Sequence, residues 1–430
     1  MRRLVRASAF LAALVAVTWA TIPAGLGAAI PATNWGTRPL WVTHVENFPG
    51  GISGTARAVA AQAPDSTRRA AAAPGAGLRS NSGSNVEMND DSYPPMPQNE
   101  TAVAYNVDRP QVAVAAANDY VSGGVVVMRT SDSGRHWAST RISPQFFGTR
   151  DFCSGGDPGV AYSRRDGAFY LSQLCFFRAL PFSEIQVYKS VDNGQTWTPG
   201  RQAARAASNF DYDTGEVDDS IFNDKELIAV DNNPGSPYYG RIYVTYTKFH
   251  LQPDGFSDYC PLQLAYSPKT GSLLFVYQNN INRPASQADI SYQTSKDGGT
   301  TWSDAKFLST TSAGQPAPND QFFPWAAADE RGRFYVIWFD RRLDPTNVRI
   351  NTWQAVSRND ATSFSSNKIS TQDWDPNLGF ITSGAFIGDY NGLAASTEAV
   401  YAVWTDGRNS AIDETGLGET DIFTDVQRKP

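Results

Sequence analysis

The stretch "TSDSGRHW" (130–137) returns as "SVDNGQTW" (190–197) and "SKDGGTTW" (295–302), with a weaker copy, "SRNDATSF", at 357–364. Each complete copy has a hydroxyl residue, an Asp two positions on, a Gly two beyond that, and a Trp closing the phrase. A carboxylate in a tight turn can accept bonds from the backbone N–H groups that follow it, and Gly supplies the positive φ a reversal demands. The opening Ser or Thr adds a local hydroxyl bond, and the Trp is placed to pack under the resulting hairpin. This reading accounts for every fixed position. Asp132, Asp192 and Asp297, with Trp137, Trp197 and Trp302, are therefore expected to be structural: three near-identical acids in equivalent turns make poor catalytic acids.

A second, longer repeat surrounds the first. "GVAYSRRDGAFYLSQL" (159–174), "QLAYSPKTGSLLFVYQN" (263–279), "WAAADERGRFYVIWFD" (325–340) and "GLAASTEAVYAVWTD" (392–406) share one plan, and 227–247 and 111–128 are looser versions. Each is a short apolar strand, a polar turn and an alternating aromatic and aliphatic strand, a period of two that excludes helices. A third strand then leads into the Asp phrase, so one unit is a four-stranded sheet. Six copies over about 330 residues give roughly 55 residues per unit, which predicts an all-β, six-bladed β-propeller. Copies three and four lie only 31 residues apart, from Gly240 to Gly271, so one blade must be truncated or borrow strands.

The bulk composition agrees. Of 430 residues 12% are aromatic, with 35 Gly and 26 Pro, which fits a turn-rich β protein. The net charge of −7 argues against nucleic acid as a partner. Arg2, Arg3 and Arg6 precede the apolar run "ASAFLAALVAVTWA" and small residues follow, so 1–29 reads as a signal peptide of a secreted or surface protein, with no later membrane span. Residues 30–98 read as an N-terminal segment and a flexible Ala/Gly/Ser/Pro linker, and 99–430 as the propeller, expected to be monomeric. Cys153 and Cys175 could bridge and leave Cys260 over, or Cys260 could take part instead. Three His in the chain leave little room for a zinc site, and no cofactor is required. The acidic loop "DYDTGEVDD" (211–219) offers calcium oxygen ligands, without EF-hand spacing.

In a propeller blade the loops before the first strand and after the second open on one face, and the Asp turn opens on the other. Ahead of first strands stand Glu100, Asp157, Asp224-Lys225-Glu226, Asp320 and Asp389-Tyr390. After second strands stand Arg178, Lys248 with His250, Arg283, Asp340-Arg341-Arg342 and Asp406 with Arg408. Carboxylates mixed with guanidinium groups suit an acidic sugar: the fork binds a carboxylate in bidentate fashion and an Asp serves as acid and base.

The phrase S/T-x-D-x-G-x-x-W resembles the Asp-box, or bacterial neuraminidase repeat, of the sialidase superfamily. "FFPWAAADERGRFYVIWFDRRLD", "FIGDYNGLAAS" and "AVWTDGRN" further resemble secreted bacterial sialidase-like proteins, a resemblance covering about 99–428. It implies a six-bladed propeller and an exo-glycosidase acting on terminal sialosides through three Arg, an acid/base Asp and a Tyr/Glu pair. Carried onto this chain, it makes Tyr390 the nucleophile with Glu226 its partner, Asp389 or Asp224 the acid, and Arg341, Arg342 and Arg408, beside Asp340, the clamp. The superfamily's first-blade Arg-Ile-Pro has its nearest counterpart in "VDRPQVAV", where Arg109 meets Pro110 directly. A non-catalytic propeller that binds glycan or protein is the alternative.

Overall fold

A computed structural model of the chain describes residues 85–89, 97–120, 122–146, 152–177, 182–250, 262–279, 288–376, 387–410 and 420–428. The expected signal peptide, most of the linker, Arg178, Arg283 and Cys260 lie outside these residues.

The described residues form an all-β molecule with one 3-10 turn, Gly200–Gln202. A short strand, β1 (Asn85–Glu87), precedes the first sheet of β2 (Gln98–Asn106), β3 (Arg109–Asp119), β4 (Gly124–Thr130) and β5 (Ala138–Ile142). The second sheet holds β6 (Ser154–Ser163), β7 (Ala168–Phe176), β8 (Ser183–Ser190) and β9 (Ala204–Ser208). A hairpin, β10 (Phe210–Asp211) with β11 (Glu216–Val217), leads to a two-stranded third sheet of β12 (Ile221–Val230) and β13 (Ile242–His250). The fourth comprises β14 (Leu262–Tyr266), β15 (Leu273–Asn279), β16 (Asp289–Ser295) and β17 (Lys306–Phe307). The fifth comprises β18 (Gln321–Ala328), β19 (Phe334–Asp340), β20 (Asn351–Ser357) and β21 (Ser365–Lys368). The sixth runs β22 (Gly392–Ala395), β23 (Ala399–Asp406), β24 (Asp421–Arg428) and then β1.

One expectation is met here and one corrected. The third sheet has two described strands where its neighbours have four, the truncated unit that the 31-residue spacing from Gly240 to Gly271 calls for. Asn85–Glu87, assigned to the linker, pairs antiparallel with β24 and completes the sixth sheet, so that sheet draws a strand from the segment read as linker. The last repeat supplies three strands, and an N-terminal strand becomes the fourth.

Neighbouring sheets face each other through shared apolar layers. Val114, Val125 and Val127 of the first sheet meet Val160, Phe169 and Leu171 of the second. Ala113, Ala115 and Met128 meet Tyr401, Val403 and Ile422 of the sixth. Equivalent layers join the fifth sheet to the sixth and the fourth to the fifth. A strand covered on both faces loses its polar alternation, and all eight residues of β23, AVYAVWTD, are buried. Inner strands lie side by side: β2 against β6 and β22, β6 against β12, and β18 against β14 and β22.

The repeated phrases are turns between third and fourth strands, as expected. Asp192 Oδ1 accepts from Thr196 N at 2.9 Å and Ser190 Oγ at 2.8 Å, and Thr196 Oγ1 donates to Oδ2 at 2.6 Å. Asp297 repeats this set with Thr301 and Ser295. Asp132 accepts from Thr130 Oγ1, the backbone of Arg135 and His136, and the His136 ring. Asn359 keeps the pattern in the weak copy. Two successive residues, not one, are left-handed at each turn: 133–134, 193–194, 298–299 and 360–361. Trp137 and Trp197 pack against the shared apolar layers. Trp302 departs from the expectation: it touches Phe275 but stays 39% exposed, on the fourth sheet, which shares no apolar layer with the short third sheet among the described residues.

The Cys153–Cys175 bridge is present and sits among Phe146, Phe182, Phe177 and Phe210.

Candidate functional site

The inner strands do not start smoothly. Their pairing with the second strands slips between Asn99 and Ala102, Gly156 and Gly159, Asp224 and Leu227, and Phe322 and Trp325. At each slip a residue other than Gly is left-handed: Glu100 (φ 58), Asp157 (φ 54), Lys225 (φ 55) and Phe323 (φ 53). Such a bulge re-aims a side chain, and positive φ away from Gly is strain that persists only where the surroundings fix it. Four equivalent copies make this a built feature of one end of the sheets, opposite the Asp turns.

Around it stand Glu100 from the first sheet, Asp157 from the second, Asp224, Lys225 and Glu226 from the third, and Asp389 and Tyr390 ahead of the sixth. Asn118, at the end of β3, binds two of these acids: its Nδ2 donates to Glu100 Oε2 at 2.6 Å, and its Oδ1 accepts from Asp157 N at 2.7 Å. Asp389 N donates to Glu100 Oε1 at 3.1 Å. That approach requires Gly388 (φ 81), where a Cβ would meet Glu100 Cγ at 2.5 Å. The Lys225 ammonium lies over the Tyr390 ring, whose neighbour is Trp325 at 5.6 Å between centroids. Glu100 and Glu226 are buried, whereas Asp157, Asp224 and Asp389 keep partial exposure. The mouth is thus acidic on one side and aromatic, through Trp325, Phe323 and Tyr390, on the other.

Crowding sets the protonation. Burial, then the Asp157 charge and a hydrogen bond with Asp157, push the Glu100 carboxyl well above the usual range. Burial and the Asp157 charge likewise raise Glu226. Asp224 is raised to about 7, first by burial and then by Asp157, against the pull of Lys225. A largely enclosed carboxyl that holds its proton near neutrality beside Asp157 is equipped to act as a general acid.

All four acid and nucleophile candidates from the sequence, Asp389, Tyr390, Glu226 and Asp224, therefore meet at one mouth. Tyr390, however, is 1% exposed and sandwiched by Lys225 and Trp325. The clamp arginines do not join them. Arg342 donates through Nε and Nη2 to Asp340, through Nη1 to Thr310 O, and stacks on Trp353 at 3.9 Å. Arg408 repeats the device with Asp406, Asn85 and Thr371, over Phe423. In both, a Trp Nε1 donates to the same Asp: Trp338 to Asp340 and Trp404 to Asp406. W-x-D-x-R, at 338–342 and 404–408, is a further structural repeat that clips neighbouring segments together, and its spacing stands in the sequence. Arg341 is buried, bonded to Asn347 O and near Asp320, and its charge neighbours, Asp320, Asp344 and Asp375, are none of the mouth acids. Arg109 sits on the wrong face, donating to Asn193 in the second sheet's Asp turn.

Sequence reading placed Glu100 and Asp157 on the correct face without choosing them, and missed Asn118 and Trp325. The acidic loop 211–219 is the β10–β11 hairpin, where Asp211 accepts from Asp213 N and Thr214 N. Among the described residues no three or more His, Cys, Asp or Glu are grouped to hold a metal ion. A groove of about 500 Å³ follows Ala203–Ser208 on the outer strand β9. It has small side chains and one Arg, and lies on the outer strand of that sheet, whereas β6, which carries Asp157, is its inner edge.

No protein-family model matches this chain, and no curated protein does. Among solved structures it is similar to the Hadza microbial sialidase Hz136, at 12% identity and a TM-score of 0.45 over 78% of this chain and 66% of that one. It is also similar to an alpha-L-arabinanase of Penicillium chrysogenum complexed with arabinobiose, at 12% identity and 0.45 over 79% and 97%. A third is an N-acetylgalactosamine deacetylase from F. plautii, at 14% identity and 0.36 over 80% and 93%.

Proposed function

We propose that this chain is a six-bladed propeller, its third blade shortened to β12–β13, that hydrolyses glycosidic bonds at the acidic mouth. The observation that carries the reading is the gathering of Glu100, Asp157, Asp224, Glu226 and Asp389 at one end of the inner strands, beside Trp325. Asp224 delivers its proton to the departing glycosidic oxygen. Asp389, partly open, takes a proton from the attacking water or faces the oxocarbenium charge. Trp325 supplies an apolar face for the sugar's C–H groups. Glu100 and Asn118 position Asp389 and Asp157, and Tyr390 holds Lys225; these are positioning residues.

The sialoside form of this reading fits less well. A sugar carboxylate brought to this mouth finds no guanidinium clamp, because Arg342 and Arg408 are bonded to Asp340 and Asp406. Sugars without negative charge come first. The Cys153–Cys175 bridge supports a secreted or surface location. No helix among the described residues is long and apolar enough to cross a membrane.

The test is a panel of fluorogenic glycosides, neutral, amino and sialic, with wild type and Asp224→Asn. Turnover that falls about a hundredfold or more in the variant supports the assignment. Silence across the panel with retained glycan binding would replace the enzyme by a glycan-binding propeller.

A further inference from the structure

We infer that the sugar taken at this mouth is cationic: an amino sugar whose free ammonium docks among Asp157, Asp224 and Asp389. This rests on the reading of the mouth as the glycan site and names the substrate class.

The argument is one of charge and space. Glu100 faces the mouth from β2, Asp157 from β6, Asp224, Lys225 and Glu226 from β12, and Asp389 and Tyr390 from ahead of β22. Phe323 and Trp325 on β18 bring no charge. Five carboxyl groups therefore stand against one ammonium, and that ammonium is engaged on the Tyr390 ring. The three acids with partial exposure are those a ligand can reach. Behind them Glu226 is wholly enclosed, and its carboxyl finds no partner among the described residues beyond its own backbone N–H. Its field neighbours are Asp157, Asp224 and Lys225, so it faces into the cluster. A buried polar group without a partner is costly, and one facing a set of like groups is relieved by a positive charge placed among them.

An ammonium fits better than a metal ion. The acids come from four sheets and are not grouped as metal ligands. An amine carried on a sugar needs only one or two acceptors and a negative surrounding field. Its arrival favours the ionised form of Glu226, while Asp224 keeps the proton it delivers, so binding releases a proton.

Calorimetry in two buffers of different ionisation enthalpy tests this, with a glucosamine trisaccharide, its fully N-acetylated counterpart and a glucose trisaccharide as probes. The expected result is that the amino form binds about tenfold or more tighter than either neutral form, tightens between about pH 5 and pH 6.5, and releases protons. Asp389→Asn and, independently, Asp157→Asn should each narrow the preference about fivefold, so one misfolded variant does not decide the matter. Equal binding of the three probes, or binding without proton release, overturns the inference. Hydrolysis of neutral glycosides without amino preference removes it and leaves the glycosidase reading. Tight amino-sugar binding without turnover of any glycoside does the reverse.

Discussion

Replacing Arg408 by Met separates the two roles this arginine has been given. Its side chain is 6% exposed and that of Asp406 is 0%. It donates to Asp406 at 3.0 and 2.6 Å and reaches Thr371 at 2.8 Å. Met matches much of its length and apolar contact with Phe423 but leaves Asp406 enclosed and, among the described residues, held by Trp404 Nε1 and the backbone of residue 408. Breaking one side of such a buried pair costs about 3–5 kcal/mol. Unfolding entropy for the roughly 340 residues from 85 to 428 is about 0.7 kcal/mol per degree, so the melting temperature should fall by about 4–7 °C. Differential scanning calorimetry reads this directly. The paired change Asp406→Leu with Arg408→Met removes both charges and should recover part of the loss. A melting temperature unchanged within about 1 °C, with sugar binding lost, would refute the clip and restore Arg408 to substrate contact.

Gly388→Ala should destabilise by about 1–3 kcal/mol and lower turnover, since φ 81 and contact with Glu100 leave no room for a Cβ; urea unfolding and kcat check this. Glu100, Asp224 and Glu226 hold their protons more tightly when folded, so the native state binds more protons than the unfolded chain above the ordinary carboxyl range. Their contribution is complete below about pH 4 and is lost as pH rises through the folded values, about 7 for Asp224, so the urea midpoint should fall across that window, less steeply in Asp224→Asn. Asp132 and Asp297, lowered to about 2, act in the opposite direction and only as pH falls below about 4. Cys153→Ser should cost about 3 kcal/mol, the loop spanning 22 positions, as read from thermal unfolding without reductant.

The fold was legible because its signals are local and repeated. A turn that needs a hydroxyl, an acid and a left-handed backbone writes itself into eight residues, and period-two strands mark the sheets around it. The β1 strand escaped notice because "NVE" carries no pattern of its own; its pairing with β24 is chosen by a partner more than 300 residues away. At the site, knowing which loops share a face put Glu100, Asp157, Asp224, Glu226, Asp389 and Tyr390 together. Which of them matter was hidden, because the bulges that aim Glu100, Asp157 and Lys225 use none of the Gly residues that announce positive φ. The arginines misled for a simpler reason. A guanidinium two residues after an Asp reads as a clamp until the Trp two residues before that Asp is counted, and W-x-D-x-R then appears twice.

The account rests on acids crowded at one mouth tightly enough that one of them keeps its proton to neutrality. Carbon-13 NMR titration of aspartate carboxyls, with Asp224→Asn to assign the signal, measures this most directly. A resonance with its midpoint near 7 that disappears in the variant is the expected result. All aspartates titrating at or below about 4 would show the mouth to be open, solvated and without its proposed acid.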